Sequence, residues 1–184
     1  MSISCPSVTS DSLPCAASRT RRYGRTLTRT STQHYNSVVI PLFDPDTGQL
    51  PPGIHHASWS EIVERYGQTP RRRTLLAGLE AGIAALRHAG CRILYIDGSF
   101  VGAKEDPGDF DVCWESAGVE GRLLDPILLT FGQRRAAQKE KYQGEFFIAQ
   151  SAADPHGTRY LDFFQHTREG VPKGIVALSL GDGT

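Results

Sequence analysis

The 184 residues are 39% hydrophobic and 22% charged, with a formal net charge of +0 at pH 7. That is enough chain for one domain with a hydrophobic core and short for two. A neutral chain has no global positive field with which to hold long nucleic acid non-specifically. No stretch approaches the ~18 apolar residues that a membrane span requires, which excludes a membrane partner of that kind.

The charge is unevenly spread. Arg19, Arg21, Arg22, Arg25 and Arg29 fall in an acid-free stretch rich in Ser and Thr, and residues 1–36 show no apolar period. The expectation there is a disordered basic tail ahead of a single domain at 37–184. An organelle transit peptide would share the tail's composition. The cysteines, Cys5, Cys15, Cys91 and Cys113, form neither a C-x-x-C pair nor a disulfide framework. Reduced thiols and a cytoplasmic setting follow.

In chain order, Val38-Val39-Ile40 reads as a short strand or extended arm, followed by turns to Gly53; His55-His56 falls in a Gly/Pro-bounded turn and lacks a third metal ligand. Ser58-Trp59-Ser60-Glu61 is a capping-box pattern that opens a helix to about Tyr66. Thr69-Pro70 starts a second helix reaching about Ala89, with Leu75, Leu76, Leu79, Ile83 and Leu86 as its apolar stripe. Arg71, Arg72 and Arg73 crowd its first turn, where the helix dipole disfavours cations; an anion or plain solvent would explain them. Strands are expected at Cys91 to Ile96 and Asp109 to Trp114. Pro126 to Tyr142 reads as a helix broken near Gly132, Glu145 to Ala149 and Tyr160 to Gln165 as further strands, and Ile175 to Leu180 as a last one. The fold class is therefore α/β (α+β): a small mixed sheet packed by helices.

One stretch carries chemistry: DGSFVGAKEDPGDFDVCW, Asp97 to Trp114. In a strand Asp109 and Asp111 project to one side, with Phe110 and Val112 turned to the core. Carboxylates so placed repel each other, and a proton or a cation must relieve them. A hard divalent ion suits them, since Mg²⁺ takes a few carboxylates plus substrate phosphates. Leu161-Asp162-Phe163 offers a third acid in an apolar run. Three carboxylates can hold two metals about 3.5–4 Å apart, the arrangement that clamps both oxygens in phosphoryl transfer. Gly98-Ser99 would let a phosphate approach the backbone and meet a hydroxyl.

Gly98-Ser99, nine residues, then Asp109-Phe110-Asp111-Val112 resembles the signature of the DNA polymerase beta-like nucleotidyltransferases. The resemblance covers about Pro70 to Gln165 and is closest to the minimal, single-domain bacterial and phage members. It implies a polymerase beta palm-like fold, with Asp109, Asp111 and Asp162 binding two Mg²⁺, or Mn²⁺ in their place. Gly98 and Ser99 would hold the phosphates of a nucleoside triphosphate such as ATP, and Asp162 would help activate the attacking hydroxyl. Lys104, Arg135 and Lys139 are candidates for the triphosphate, and each is also readable as solvated surface, Lys104 above all. Only 22 residues follow Asp162, so the base-gripping helical domain of larger members is not expected. Base selection would fall to Arg134 to Lys141, the N-terminal arm or a partner subunit.

The reaction implied is transfer of a nucleoside monophosphate to a hydroxyl of an RNA end, protein or small molecule. Small members of this superfamily often occur in toxin–antitoxin or phage-defence pairs. Two other readings stay open: a nucleotide- or partner-binding module that has lost turnover, and a metal-dependent nuclease, which the lack of a Glu-x-Lys pair at Glu145 disfavours.

Overall fold

The computed structural model describes residues 40–181; the expectations for the basic tail, and for Val38 and Val39, lie outside the described residues. The elements run β1 (Gly53–His56), α1 (Trp59–Tyr66), α2 (Pro70–His88), β2 (Ile93–Asp97), β3 (Asp111–Trp114), α3 (Gly132–Tyr142), β4 (Glu145–Ile148), α4 (Tyr160–Phe164) and β5 (Gly174–Ser179). Short 3₁₀ turns cover Ser99–Val101 and Pro126–Leu129. The five strands form one mixed sheet in the order β1-β5-β2-β3-β4. β1 with β5 and β3 with β4 are parallel, while β2 is antiparallel to both of its neighbours.

Local chemistry starts both long helices where the sequence places them. The Ser58 hydroxyl accepts the Glu61 N–H at 3.3 Å, and the Glu61 carboxylate accepts the Ser58 N–H at 2.7 Å, closing the capping box of α1. Thr69 caps α2 by accepting the Arg72 N–H at 3.2 Å, with Pro70 at the first helical position. The apolar stripe Leu75, Leu76, Leu79, Ile83 and Leu86 is buried against the sheet. Gly82 fixes how closely α2 approaches: a Cβ there would lie 2.3 Å from the Phe146 ring.

Strand alternation sorts side chains into two layers. Leu94, Ile96, Val112, Trp114, Phe146, Val176 and Leu178 face the α1–α2 side and form the main core. Tyr95, Cys113, Phe147, Ile175 and Ala177 face the other side, where Phe164, Tyr160 and Leu161 of α4 cover them.

Two expectations are corrected. Tyr160–Phe164 is a helix, not a strand. In a strand Asp162 would share a face with Tyr160 and Phe164, burying a carboxylate among aromatics; a helical turn sends Tyr160, Leu161 and Phe164 to the sheet and Asp162 outward. His55-His56 is not in a turn but in the edge strand β1, paired in register with Val176 and Ala177. The first-turn arginines of α2 bind neither anion nor open solvent alone. Arg72, only 6% exposed, donates to the carbonyls of Phe100 (2.7 Å), Gly102 (2.9 Å), Lys104 (2.7 Å) and Glu105 (3.2 Å). Arg71 does the same to Pro107 and Gly108. Carbonyl dipoles thus offset the cations that the helix dipole disfavours, and the whole loop between Gly98 and Asp109 is pinned to α2.

Candidate functional site

The register of three strands builds the site. β2 ends at Asp97 as β3 begins at Asp111, and these two are direct cross-strand partners. β4 begins at Glu145, which is the partner of Asp111 on the other side. Three acids therefore stand in a row across adjacent strands, on one face and at one end of the sheet. Asp109, two residues before Asp111, joins them from the loop just outside β3. A cavity of about 760 Å³ opens over this end of the sheet, lined by all four acids together with Gly98 and Ser99.

Two ammonium groups hold the flanks of the row. Lys173, in the turn leading into β5, pairs with buried Asp97. Lys139 of α3 lies 2.6 Å from Glu145 and 2.9 Å from Asp109, and its hydrogen bonds first to Glu145 and then to Asp109 raise its pKa. Asp111, in the middle, has no ion-pair partner among the described residues. Burial first, then the charges of Asp109, Asp97 and Glu145, push its pKa up to about 7. Burial also raises Asp97, an effect that the Lys173 ammonium partly offsets.

Gly98 is required here on two counts. Its φ is +82°, and a Cβ would lie 2.6 Å from Asp111 Oδ2. Only a residue without a side chain lets the chain turn away from β2 while the Asp111 carboxylate rests against it. Ser99 opens the 3₁₀ turn next to it, exposed at the cavity wall.

Arg135 reaches the cavity through an uncommon backbone. Gln133, Arg134 and Arg135 have φ of 50°, 53° and 55°, a left-handed turn that precedes the regular part of α3 where the sequence predicts a break. Each such residue costs roughly 1–2 kcal/mol. The turn brings the Arg135 guanidinium 3.8 Å from the Phe147 ring centroid and 3.7 Å from Glu145.

Of the residues singled out from sequence, Gly98, Ser99, Asp109, Asp111, Arg135 and Lys139 come together around the cavity. Two do not. Asp162 lies on α4, paired at 2.8 Å with Arg159, and lines no part of the cavity. Lys104 is exposed on the loop, where its carbonyl rather than its ammonium has a partner, Arg72. Sequence reasoning missed Glu145 and Lys173 and left Asp97 undecided. Their signal was positional: Asp97 closes an apolar strand and Glu145 opens one, so antiparallel followed by parallel pairing brings them to a common end.

The donor set has the chemistry of a hard divalent cation site, carboxylate oxygens around a carboxyl group that burial and like charge keep from ionising freely. Among the described residues no group of three or more His, Cys, Asp or Glu side chains is gathered tightly enough to hold a metal ion as it stands. The Lys139 ammonium pairs with both Asp109 and Glu145 and offsets their charge. No helix among the described residues is long and apolar enough to cross a membrane.

Comparison with known proteins ends at the family level. No curated protein and no solved structure matches the chain. Residues 41–179, which include β1 to β5 and every residue of the acid row, match a family of unknown function, DUF6932, and the chain belongs to that family.

Proposed function

We propose that the chain is a divalent-cation-dependent nucleotidyltransferase of the polymerase beta-like kind, with Glu145 rather than Asp162 as the third carboxylate. One observation carries the reading: Asp111 and Glu145, on neighbouring strands, and Asp109, from the loop ahead of β3, gather beside Gly98-Ser99 at one end of the sheet with cationic side chains around them. Asp109, Asp111 and Glu145 are the side chains that would hold Mg²⁺. Bound there, Mg²⁺ or Mn²⁺ would neutralise phosphate charge and lower the pKa of an acceptor hydroxyl.

The chain's own groups supply the rest. The Ser99 hydroxyl and the backbone N–H at the start of its turn donate to phosphate oxygens. Lys139, Arg135 and Lys173 bring positive charge to the triphosphate. The acceptor oxygen bonds to the α-phosphorus, the bond from that phosphorus to the bridging oxygen breaks, and pyrophosphate leaves with the electron pair. The acceptor's proton, which a bound cation would make more acidic, passes to solvent water.

A second reading has its own support. Lys139 and Lys173 already satisfy three of the four acids internally, as in a nucleotide- or partner-binding module without turnover. Incubation with radiolabelled nucleoside triphosphates, Mg²⁺ and a cell lysate separates the two. Transfer of label that Asp109→Asn, Asp111→Asn and Glu145→Gln each abolish, and Asp162→Asn leaves intact, supports the enzyme. Triphosphate binding with no labelled product and no pyrophosphate supports the module.

A further inference from the structure

The cavity has a second chemistry beyond its acid end. Glu145 and Phe147 lie two apart on β4 and share a face, so the wall turns from carboxylate to aromatic within ~7 Å along the strand. From Phe147 it continues onto α4. The Tyr160 ring lies 4.3 Å from Phe147, centroid to centroid, and Phe163 stands edge-on to Tyr160 at 6.5 Å. Phe163 and Phe164 both line the cavity, but Phe163 is 47% exposed whereas Phe164 is buried. Phe164 packs into the core under α4, while Phe163 has no core to fill.

Arg135 stands where the two chemistries meet. Its guanidinium covers Phe147 and approaches Glu145, and its Nε is buried with no hydrogen-bond partner among the described residues. The left-handed turn at Gln133–Arg135 is the conformation that puts it there. A buried donor without a partner, on a strained backbone, is the pattern that accompanies ligand and active sites.

We propose that Phe163 and Tyr160 form a stacking ledge for a nucleobase, backed by the buried Phe147 ring that Arg135 covers, with Arg135 between the base and the phosphates. This rests on the nucleotide reading above and deepens it by supplying the base contact that a helical domain supplies elsewhere. The acid row and the aromatic wall line one cavity, and its volume of about 760 Å³ lies in the range of small-ligand sites. Every base has a π face, so the ledge is tolerant of base identity, and stacking strengthens binding about tenfold or more.

Titrations of the full chain with ATP, adenosine and inorganic tripolyphosphate, each with Mg²⁺, test this. Phe163→Ala should weaken ATP and adenosine about tenfold or more and leave tripolyphosphate unchanged. Phe163→Trp should retain ATP binding, and the fluorescence of the introduced indole should be quenched by ATP and adenosine but not by tripolyphosphate. Phe163 is exposed, so both variants should keep the wild-type circular dichroism. Wild-type affinity for ATP in Phe163→Ala, or an indole signal in Phe163→Trp that neither ATP nor adenosine quenches, overturns the ledge. The nucleotidyltransferase reading then still stands if tripolyphosphate binds. Adenosine binding that Phe163→Ala weakens, without any tripolyphosphate binding, supports the ledge and removes the triphosphate reading. Failure of both ATP and adenosine to bind the wild-type chain overturns the ledge.

Discussion

Between its ordinary value of 3.8 and about 7, the folded chain holds a proton on Asp111 that the unfolded chain gives up. The native state then binds more protons than the unfolded one. The associated stability is fully present below pH 3.8 and is lost as the pH climbs through about 7. Asp111→Asn removes that dependence, so the variant should unfold at a higher temperature than wild type at pH 8 in metal-free buffer, by roughly 1–3 kcal/mol in stability. Thermal melts from pH 4 to 8 check the sign: the advantage should shrink as the pH falls. A divalent ion competes with the same proton, so Mg²⁺ should bind the wild type more tightly at pH 8 than at pH 6, by up to about tenfold by calorimetry. Gly98→Ala tests the neighbouring contact. It should cost roughly 1–3 kcal/mol through its positive φ and the clash with Asp111, and the clash part should shrink when Asp111 is also Ala. The pair Asp109-x-Asp111 and the Gly98-Ser99 bend were readable in the sequence because their residue types are costly without a purpose. Glu145 was not, since an acid at the start of a strand looks like surface until its neighbour across the sheet is known.

Elements carry the second set of expectations. Arg72 holds four carbonyls of the loop that links Gly98 to Asp109, so α2 and that loop are mechanically one piece. Arg72→Met should destabilise the chain by roughly 2–4 kcal/mol and speed amide exchange across residues 99–105; Arg72→Lys should not rescue it, because an ammonium cannot span the fork. At the start of α3 the opposite sign is expected. Gln133→Gly relieves a left-handed residue and should raise stability by about 0.5–1 kcal/mol in denaturant titrations. Helices α1 and α2 were legible because caps and an apolar stripe act locally. The helix α4 was not, because five residues are too few to tell one period from another, and its outcome was decided by the sheet face it covers. The strand β1 was missed for a related reason: its burial is slight, and its pairing with β5 joins distant parts of the chain.

At the scale of the whole molecule, the mixed sheet with helices was legible as a class, while the strand order was not. The order β1-β5-β2-β3-β4 is what converts scattered acids into a row, and pairings of that kind leave no local trace. The sheet also buries the two described thiols, and burial raises the pKa of Cys91 to about 11 and that of Cys113 still further. Metal and nucleotide binding at the cavity depend on the acid row holding a carboxyl group that only a proton or a bound cation can satisfy. Its most direct measurement is the ¹³C carboxyl titration of Asp111, followed by nuclear magnetic resonance with and without Mg²⁺. The predicted result is a midpoint near 7 without the ion and one well below the ordinary carboxylate value with it. A midpoint near 3.8 that Mg²⁺ does not move would contradict it.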